Sequence, residues 1–362
     1  MKPSLPLAKA MKGKIETPAH TPEFVEPEHD GPKQPDETEP TSETAQYLRD
    51  NFQAYNAARL IEAADGWIAL MREGGSMMVT LAGAMSTAQL GRSLAPLIRA
   101  RRIAAISCTG ANLEEDLFNL VGYSKYEYLP HYATMQPSDE DAMAKRGMNR
   151  VTDAGISDEY AVKPVADAVM KLWKEADAAG ERHFPHEFLY QLIREGTLEK
   201  DFDGDPSNSW MLAAAAENIP IVCPGWGDST LGNQFAAACL KGDIKDPNTM
   251  RSDIEYMMAL ADWYPKQAAK GPLGFFQIGG GIAGDFPICV VPMLKEELKQ
   301  DVPFWSYFCQ ITDADVSYGG YSGAMPPEKQ TWEKLDKDTP SFVIKSDATI
   351  VAPLIFKLVL EA

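Results

Sequence analysis

The stretch Leu273-Gly-Phe-Phe-Gln-Ile-Gly-Gly-Gly-Ile-Ala-Gly-Asp285 decides the fold of this chain. Its first six residues, 273–278, form an almost continuous apolar run, which predicts a strand that is buried on both faces. Three consecutive glycines follow, and the residues after them predict an apolar helix. A strand, a turn of small residues and a helix together form the unit from which parallel sheets are built.

The same unit recurs along the chain. Four further apolar runs end in small or polar turns and continue into predicted helices, namely 77–82, 103–108, 219–225 and 342–345. Buried strands that alternate with helices predict an α/β fold with a doubly wound, mostly parallel sheet of the Rossmann-like type. Ligands of such sheets bind at the carboxyl ends of the strands, where all five turns would lie. The sequence therefore predicts a binding site at that edge.

Two regions depart from this alternation. Residues 1–43 are rich in Pro, Glu, Lys and Thr and lack an apolar period, which predicts a disordered tail. Helical spacing of apolar residues begins directly afterwards, and we expect one catalytic domain over residues 44–362. Residues from about 122 to 217 are polar, aromatic and interrupted by proline. We interpret them as a helical insertion within that domain.

Composition and charge exclude several classes of protein. The chain has 34 basic and 52 acidic residues, and its formal charge of −18 repels the phosphates of nucleic acids. No run of about 18 apolar residues occurs, and the N-terminal residues lack the apolar core of a secretory signal, so neither a membrane span nor secretion is expected. Five cysteines without a C-x-x-C pair are typical of reduced thiols in the cytoplasm.

Familiar metal and hydrolase patterns do not occur. The run His183-Phe-Pro-His186-Glu187 has the order H-x-x-H-E instead of H-E-x-x-H, and Pro185 interrupts it, so no metal site is predicted there. No Ser or Cys occupies a G-x-S-x-G turn. The dinucleotide fingerprint G-x-G-x-x-G is absent as well. The turns taken together favour a nucleotide or a similar polar ligand, although helix capping or tight packing explains each turn taken singly.

Five segments resemble deoxyhypusine synthase and follow one another in the same order. They are TGANLEEDL (109–117), PGWGDSTLGN (224–233), IGGGIAGD (278–285), YSGAMPPEKQTWEKL (321–335) and SDATIVAPL (346–354). The likeness extends from about residue 45 to the end of the sequence and is greatest to bacterial deoxyhypusine synthase-like proteins. It implies the deoxyhypusine synthase fold, NAD as cofactor and a homotetramer. The family also has an N-terminal segment that can cover the site, and residues 1–43 precede the fold in the same place.

The resemblance implies a reaction as well. In the family, NAD removes a hydride from the carbon beside a secondary amine of spermidine. An enzyme lysine, which aligns with Lys334, captures the resulting imine and passes the aminobutyl group to an acceptor amine. Because an ammonium is not a nucleophile, such a lysine must be freed of its proton by desolvation or by neighbouring cations.

Site residues are carried over by position. The resemblance implies NAD contacts at Gly83, Ala84, Met85, Ser86, Thr87, Thr109, Gly110, Ala111, Glu115, Asp228, Gly280, Asp347 and Ala348. It implies amine contacts at Glu114, Glu115, Asn233, Asp285, Gly319, Gly320, Tyr321, Glu328 and Trp332. Carboxylates can hold an ammonium by charge-assisted hydrogen bonds, and a tryptophan can stack on it. Acids such as Glu114 and Glu115 also stabilise a helix N-terminus without any ligand.

Several amine-side positions depart from the family pattern. Asn233 and Tyr321 stand where the family has polyamine-binding aspartates, and Asp285 stands where it has a substrate-contacting histidine. Tyr318 also occupies an acidic position. Each lost charge-assisted hydrogen bond is worth about 1.5–3 kcal/mol. We therefore expect an amine that is shorter or less charged than spermidine, or one that carries a carboxylate or guanidinium.

Three functional hypotheses follow. The first is NAD-dependent transfer of an aminobutyl or related alkylamine group through Lys334, either to a protein lysine or, as in homospermidine synthase, to a free amine. The second is an NAD-dependent amine dehydrogenase that releases the imine to water and has no use for Lys334. The third is a non-catalytic binding protein with a decayed site, which the lost aspartates favour and the retained Lys334 and Trp332 oppose.

Overall fold

A computed structural model of the chain describes residues 22–25 and 42–362. The strands in these residues are β1 (Ser76–Leu81), β2 (Ile103–Cys108), β3 (Glu127–Tyr128), β4 (Met148–Val151), β5 (Ala154–Ser157), β6 (Ile221–Val222), β7 (Leu273–Ile278), β8 (Tyr307–Thr312) and β9 (Ser341–Lys345). The helices are α1 (Glu43–Asn51), α2 (Tyr55–Arg72), α3 (Gly91–Arg99), α4 (Gly110–Gly122), α5 (Pro137–Lys145), α6 (Lys163–Ala179), α7 (Pro185–Arg194), α8 (Trp210–Ala216), α9 (Thr230–Lys241), α10 (Asp253–Ala268), α11 (Gly281–Ile288), α12 (Val290–Pro292), α13 (Pro326–Gln330) and α14 (Ala348–Leu360).

Six strands form one parallel sheet in the order β6-β2-β1-β7-β8-β9. Numbered along the chain, these strands lie in the order 3-2-1-4-5-6, which is that of the doubly wound Rossmann fold. The predicted fold class is therefore confirmed. The direction of winding reverses between β1 and β7, which end in register with Leu81 opposite Ile278. In this fold the crevice at such a reversal is where ligands bind.

Adjacent residues of β7 show that both faces of the sheet are covered. The ring of Phe276 lies 5.1 Å from that of Trp67 on α2, and the ring of Phe275 lies 4.9 Å from that of Trp305. Trp305 in turn packs 4.8 Å from Tyr264 on α10. Because successive side chains of a strand point to opposite faces, these contacts belong to two separate layers. Every residue of β7 is buried, as its apolar run predicts.

One strand of the sheet was not predicted. β8 pairs with β7 and β9 and is buried throughout. It leads into Thr312-Asp313-Ala314-Asp315, which lacks the glycine-rich turn that marked other strands. This strand is important for the predicted site because the chain continues from it into the segment that contains Lys334.

The insertion was predicted to be helical, but it also contains strands. Besides α5, α6, α7 and α8, it contains an antiparallel sheet in the order β3-β5-β4. These strands have two to four residues each, too few to display an alternating pattern.

The predicted N-terminal tail contains an anchored segment. Residues 22–25 are described, and the expectation of disorder is wrong for them, because Phe24 is only 8% exposed and packs 6.1 Å from the ring of Phe184. The amide of Asn218 donates to the Val25 carbonyl at 2.9 Å. Asn218 precedes β6, so the anchor lies at the amino end of the sheet, opposite the predicted site. The remaining residues of 1–41 lie outside the described residues.

Candidate active site at the carboxyl edge of the sheet

The segments that follow β1 and β2, residues 82–90 and 109–116, are here called the first-half turns, and the second of them includes the start of α4. The buried amide of Asn112 joins them, because its Nδ2 donates to the Gly83 carbonyl at 2.9 Å and its Oδ1 accepts from the Ser86 N–H at 2.9 Å. The Thr109 hydroxyl also donates to the Gly83 carbonyl, at 2.7 Å. Asn112 was not predicted, although it lies inside the TGAN motif. Its role is to fix the backbone that the predicted cofactor residues share.

The hydroxyl groups of the β1 turn bond to protein groups. Ser86 is buried, and its hydroxyl donates to the Asn112 carbonyl at 2.6 Å and accepts from Trp210 Nε1 at 2.9 Å. The Thr87 hydroxyl donates to the Glu115 carboxyl group. Gly83 has a φ of +62° and a hypothetical Cβ there would meet only Met85 Cε, at 3.9 Å. The backbone at Gly83 is therefore open to the approach of a ligand.

Three consecutive acids on α4 have three different environments. Glu114 accepts from the N–H groups of Thr230 and Leu231 at 2.9 and 2.8 Å and so caps α9. Asp116 accepts from Ser209 Oγ at 2.5 Å at the start of α8, and burial raises its pKa to about 6. These two carboxylates have structural partners.

Glu115 is the acid of α4 that bonds to the segment after β1, through Thr87. Burial and, to a smaller extent, the neighbouring Glu114 raise its pKa to about 7, against the opposing effect of the hydrogen bond from Thr87. A glutamate near half-protonation at neutral pH can accept or donate a hydrogen bond. Of the predicted acids on α4, Glu115 is thus better placed than Glu114 to face a ligand.

The glycines after β7 have different surroundings. A Cβ on Gly280 would lie 2.2 Å from Ser322 Oγ, so the backbones of the two segments touch there. Gly281 has a φ of +56° and open space around a hypothetical Cβ. The Gly279 N–H donates to the Ile311 carbonyl at 2.8 Å, which continues the ladder between β7 and β8. Gly280 therefore serves packing, whereas Gly281 is open.

The segment of residues 319–334, here called the lysine segment, contains the predicted nucleophile. Lys334 is only 7% exposed, and its Nζ lies 2.7 Å from Asp285 Oδ1 on α11. The ring centroids of Tyr321 and Trp332 lie 5.1 and 6.0 Å from the same nitrogen. Glu333 has a φ of +53°, which non-glycine residues seldom adopt, and such strained backbone clusters at functional sites.

Other amine-side residues line the same segment. The Tyr321 hydroxyl donates to Gln277 Oε1 at 2.8 Å, and burial raises the pKa of this phenol well above its usual range. Trp332 is 66% exposed. Gly319, Gly320 and Glu328 are also exposed. Cys289 follows α11, and its Sγ lies 3.7 Å from Asp285 Oδ1, so a half-buried thiol that was not predicted also borders the Lys334–Asp285 pair.

The remaining predicted residues lie at the ends of β6 and β9. Asn233 is exposed and donates to the Ser229 carbonyl at 2.7 Å, and Asp228 is exposed as well. Asp347 caps α14 by accepting from the Thr349 N–H at 2.7 Å, and Ala348 follows it. The Ser346 N–H donates to the Thr312 carbonyl at 3.2 Å, which keeps this turn beside the end of β8.

The structure brings the predicted residues to one edge in two groups. The first consists of the first-half turns with Glu115. The second consists of the lysine segment with Asp285. A Cβ on Gly279 would lie 2.9 Å from Ala82 Cβ, so the turns after β7 and β1 meet at the winding reversal between the groups. Glu114 belongs to neither group, because its carboxylate bonds to α9. Asp347 and Ala348 lie after β9, at the far end of the sheet edge.

Within residues 22–25 and 42–362, no group of three or more His, Cys, Asp or Glu side chains is arranged to hold a metal ion. The His186 Nδ1 lies 3.0 Å from the Tyr256 hydroxyl in a buried aromatic cluster. No helix in the same residues has the length and apolar character needed to cross a membrane.

Comparisons with known proteins agree with this architecture. Residues 47–359 match the profile of the family described as deoxyhypusine synthase. A deoxyhypusine synthase-like protein of Nostoc sp. is 34% identical over 325 residues, which cover 87% of this chain and 80% of that protein. A probable deoxyhypusine synthase of Methanosarcina mazei is 26% identical over 312 residues, 85% of this chain and 83% of that one. A crystal structure of a putative deoxyhypusine synthase from Entamoeba histolytica superposes with a TM-score of 0.51 at 12% identity, over 86% of this chain and 90% of that chain.

Proposed function

The chain belongs to the deoxyhypusine synthase family, and from this premise we propose that it transfers an alkylamine group in an NAD-dependent reaction through an imine on Lys334. The group is aminobutyl or a close relative. The observation that carries the proposal is the buried Lys334 amine, 2.7 Å from the Asp285 carboxylate beside the turn that follows β7. A lysine with no chemical role would ordinarily extend into solvent.

The bonds made and broken balance around Lys334. NAD, when bound, would supply the two-electron oxidation of the donor amine and the matching reduction of the product. The Lys334 amine adds to the oxidised carbon, the bond from that carbon to the leaving amine breaks, and the leaving amine gains a proton. The acceptor amine then adds to the same carbon, and Lys334 departs as the free amine. Asp285 is placed to take the Lys334 proton before addition and to return it afterwards.

The first-half turns supply the support for a dinucleotide. Open backbone at Gly83 and Gly281 flanks the winding reversal, where dinucleotides bind in this fold. Thr109 caps α4, whose N-terminus suits a phosphate group. Glu115 would accept from a ribose hydroxyl. We propose that these residues hold NAD, together with the neighbouring positions that the family pattern implies.

The amine side favours a donor with fewer positive charges than spermidine. Asn233 and Tyr321 are uncharged, and each already donates a hydrogen bond within the protein. Asp285 is paired with Lys334, and Glu328 is an exposed acid of the lysine segment that is available to an ammonium. The exposed face of Trp332 offers a cation–π contact in addition.

A homotetramer is part of the proposal. Exposed apolar side chains follow the strand ends around the site, namely Ile282, Val316, Tyr318, Met325, Trp332 and Ile350. An apolar rim of this kind is typical of a surface that another chain covers. Light scattering is expected to give four times the mass of the chain, and a monomeric mass would contradict the assembly.

The reaction is tested by trapping. The purified protein is incubated with NAD and a panel of di- and polyamines, reduced with borohydride and weighed by mass spectrometry. An alkylamine adduct is expected on the wild type and on Lys337→Ala, whose lysine is 79% exposed at its side chain, and not on Lys334→Ala. NADH release without an adduct would identify a dehydrogenase, and NAD binding without turnover would identify a regulatory protein. Either result would contradict transfer.

A further inference from the structure

A second lysine lies beneath the site, and the proposed reaction does not use it. Lys329 on α13 is 2% exposed, and its Nζ donates to the Ala324 carbonyl at 2.6 Å. The same nitrogen lies 4.6 Å from the ring centroid of Tyr321 and 5.0 Å from that of Phe308. A buried ammonium of this kind is costly unless it is paired, and no carboxylate in the described residues lies within ion-pair distance of it.

The two lysines share one aromatic ring. Lys334 Nζ lies 5.1 Å from the Tyr321 centroid, so the two nitrogens are separated by no more than the sum of the two ring distances. At that separation, two positive charges inside a protein shift a protonation equilibrium by about one pH unit. The charge on one lysine therefore affects the proton on the other.

The charged groups around Lys334 have opposite effects on whether its amine carries a proton. Asp285 at 2.7 Å favours the protonated amine. Cys289 borders the pair from α11, and Tyr321 and Trp332 approach from the lysine segment as uncharged rings. Lys329 supplies the positive charge that opposes Asp285. Burial and, to a smaller extent, the Lys334 charge lower the pKa of Lys329 to about 8, against the opposing effect of Glu328 and Asp285.

We propose that Lys329 is a positioning residue whose buried charge, acting across the Tyr321 ring, offsets Asp285 and keeps a reactive fraction of the Lys334 amine free of its proton. This inference rests on the proposed role of Lys334 as nucleophile. Without the second cation, the Lys334–Asp285 pair would hold its proton tightly and the amine would react slowly. A nearby cation is one of the general ways in which proteins activate a lysine.

The inference is tested by chemical labelling that needs neither NAD nor an amine donor. The protein is methylated briefly with formaldehyde and cyanoborohydride across pH 6 to 10, and each lysine is quantified by mass spectrometry. Lys337, three residues beyond Lys334 and exposed, is the internal reference. At pH 7.5, Lys329→Met is expected to label Lys334 about tenfold more slowly than the wild type does, relative to Lys337. Lys329→Arg, which keeps the charge, is expected to restore the rate.

An unchanged or faster Lys334 rate in a folded Lys329→Met protein would overturn the inference. If that variant does not fold, Lys329→Gln is measured in the same way, because it removes the charge but keeps a group that can donate to the Ala324 carbonyl. An unchanged or faster Lys334 rate in Lys329→Gln would equally overturn the inference.

The labelling separates this inference from the proposed function. If borohydride adducts are absent but Lys329→Met slows labelling, transfer is wrong and the coupling of the two lysines stands. If adducts form on the wild type but the labelling rate of Lys334 is the same in Lys329→Met, only the proposed coupling of the two lysines is wrong. When both hold, the pH at which adduct formation is fastest is expected to rise by about one unit in Lys329→Met.

Discussion

The first-half turns and the lysine segment lie at the same edge of the sheet but are built in opposite ways. In the first-half turns, buried polar side chains such as Asn112, Glu114 and Asp116 bond to backbone groups. In the lysine segment, a left-handed Glu333 and two buried ammonium groups stand beside an exposed tryptophan. The first arrangement stabilises the fold. The second contains strained backbone and buried amines that cost stability, as is common at functional sites. Substitutions in the two regions should therefore separate stability from chemistry.

The largest effect is expected at Asn112, the residue that holds the first-half turns together. Asn112→Leu leaves the Ser86 N–H and the Gly83 carbonyl without this partner, and the free energy of unfolding is expected to fall by about 3 kcal/mol or more. Urea denaturation measures the change. Asn119→Ala, which removes a half-buried amide with one contact at 3.4 Å, is the control and is expected to cost less than about 1 kcal/mol. Equal losses in the two variants would contradict the role of Asn112.

The next largest loss of stability is expected at Glu114, which the family resemblance predicts at the amine and whose carboxylate caps α9 in the structure. In Glu114→Gln, the side-chain NH2 group faces the N–H group of Thr230 or Leu231, so one hydrogen bond is lost. The free energy of unfolding is therefore expected to fall by about 2 kcal/mol. The KM for the donor amine is expected to stay within about twofold of the wild-type value, since the carboxylate is buried against a helix. A KM that rises tenfold with unchanged stability would restore the substrate role.

A smaller effect should distinguish the lysine segment by its pH dependence. The pKa of Lys329 is about 8 in the folded protein and 10.5 in the ordinary case, so between these values the unfolded chain binds a proton that the folded chain does not. Stability contributed at this residue therefore rises with pH. The stability of the wild type minus that of Lys329→Met is expected to increase by about 1–2 kcal/mol from pH 7.5 to 9.5 in urea denaturation. A flat difference would contradict a buried, depressed amine.

The smallest effect on stability is expected at Trp332, because it is 66% exposed. Trp332→Ala should change the free energy of unfolding by less than about 0.5 kcal/mol. Loss of an exposed cation–π contact is nevertheless expected to raise the KM of the donor about two- to fivefold. Trp332→Phe retains an aromatic face and should recover part of that loss. A large change in stability with unchanged KM would mean that the ring serves packing.

Much of the fold could be predicted because it depends on runs of apolar residues. The stretches that became β1, β2 and β7 are buried strands followed by helices, as their sequences indicate. The stretch that became β9 is also followed by a helix, but it is an edge strand that is only half-buried. β8 was missed because its turn contains aspartates in place of glycines. The strands of the insertion were missed because they are short and rest on tertiary pairing instead of local pattern.

The site was predicted less completely, since a sequence does not show where a side chain points. Lys334 was found only through resemblance, because a lysine between charged residues otherwise indicates an exposed loop. Lys329 escaped for the same reason, although it is the more deeply buried of the two. Phe24 was overlooked because a single aromatic in a Pro- and Glu-rich segment has no periodic signal. The contacts of Lys334 and Phe24 come from residues distant in the chain, Asp285 and Phe184.

The close approach of Gly280 to Ser322 has a consequence for motion. The Ser322 carbonyl accepts from Gln310 Nε2 at 2.8 Å and from the Thr312 hydroxyl at 3.1 Å, so the start of the lysine segment is bonded to a central strand. Local unfolding of this segment would have to break the hydrogen bonds to Ser322. Backbone amides beside Ser322 should therefore exchange with deuterium as slowly as those of the core. The loop that carries the nucleophile is thus ordered when the chain folds, and its conformational entropy is lost before any substrate arrives.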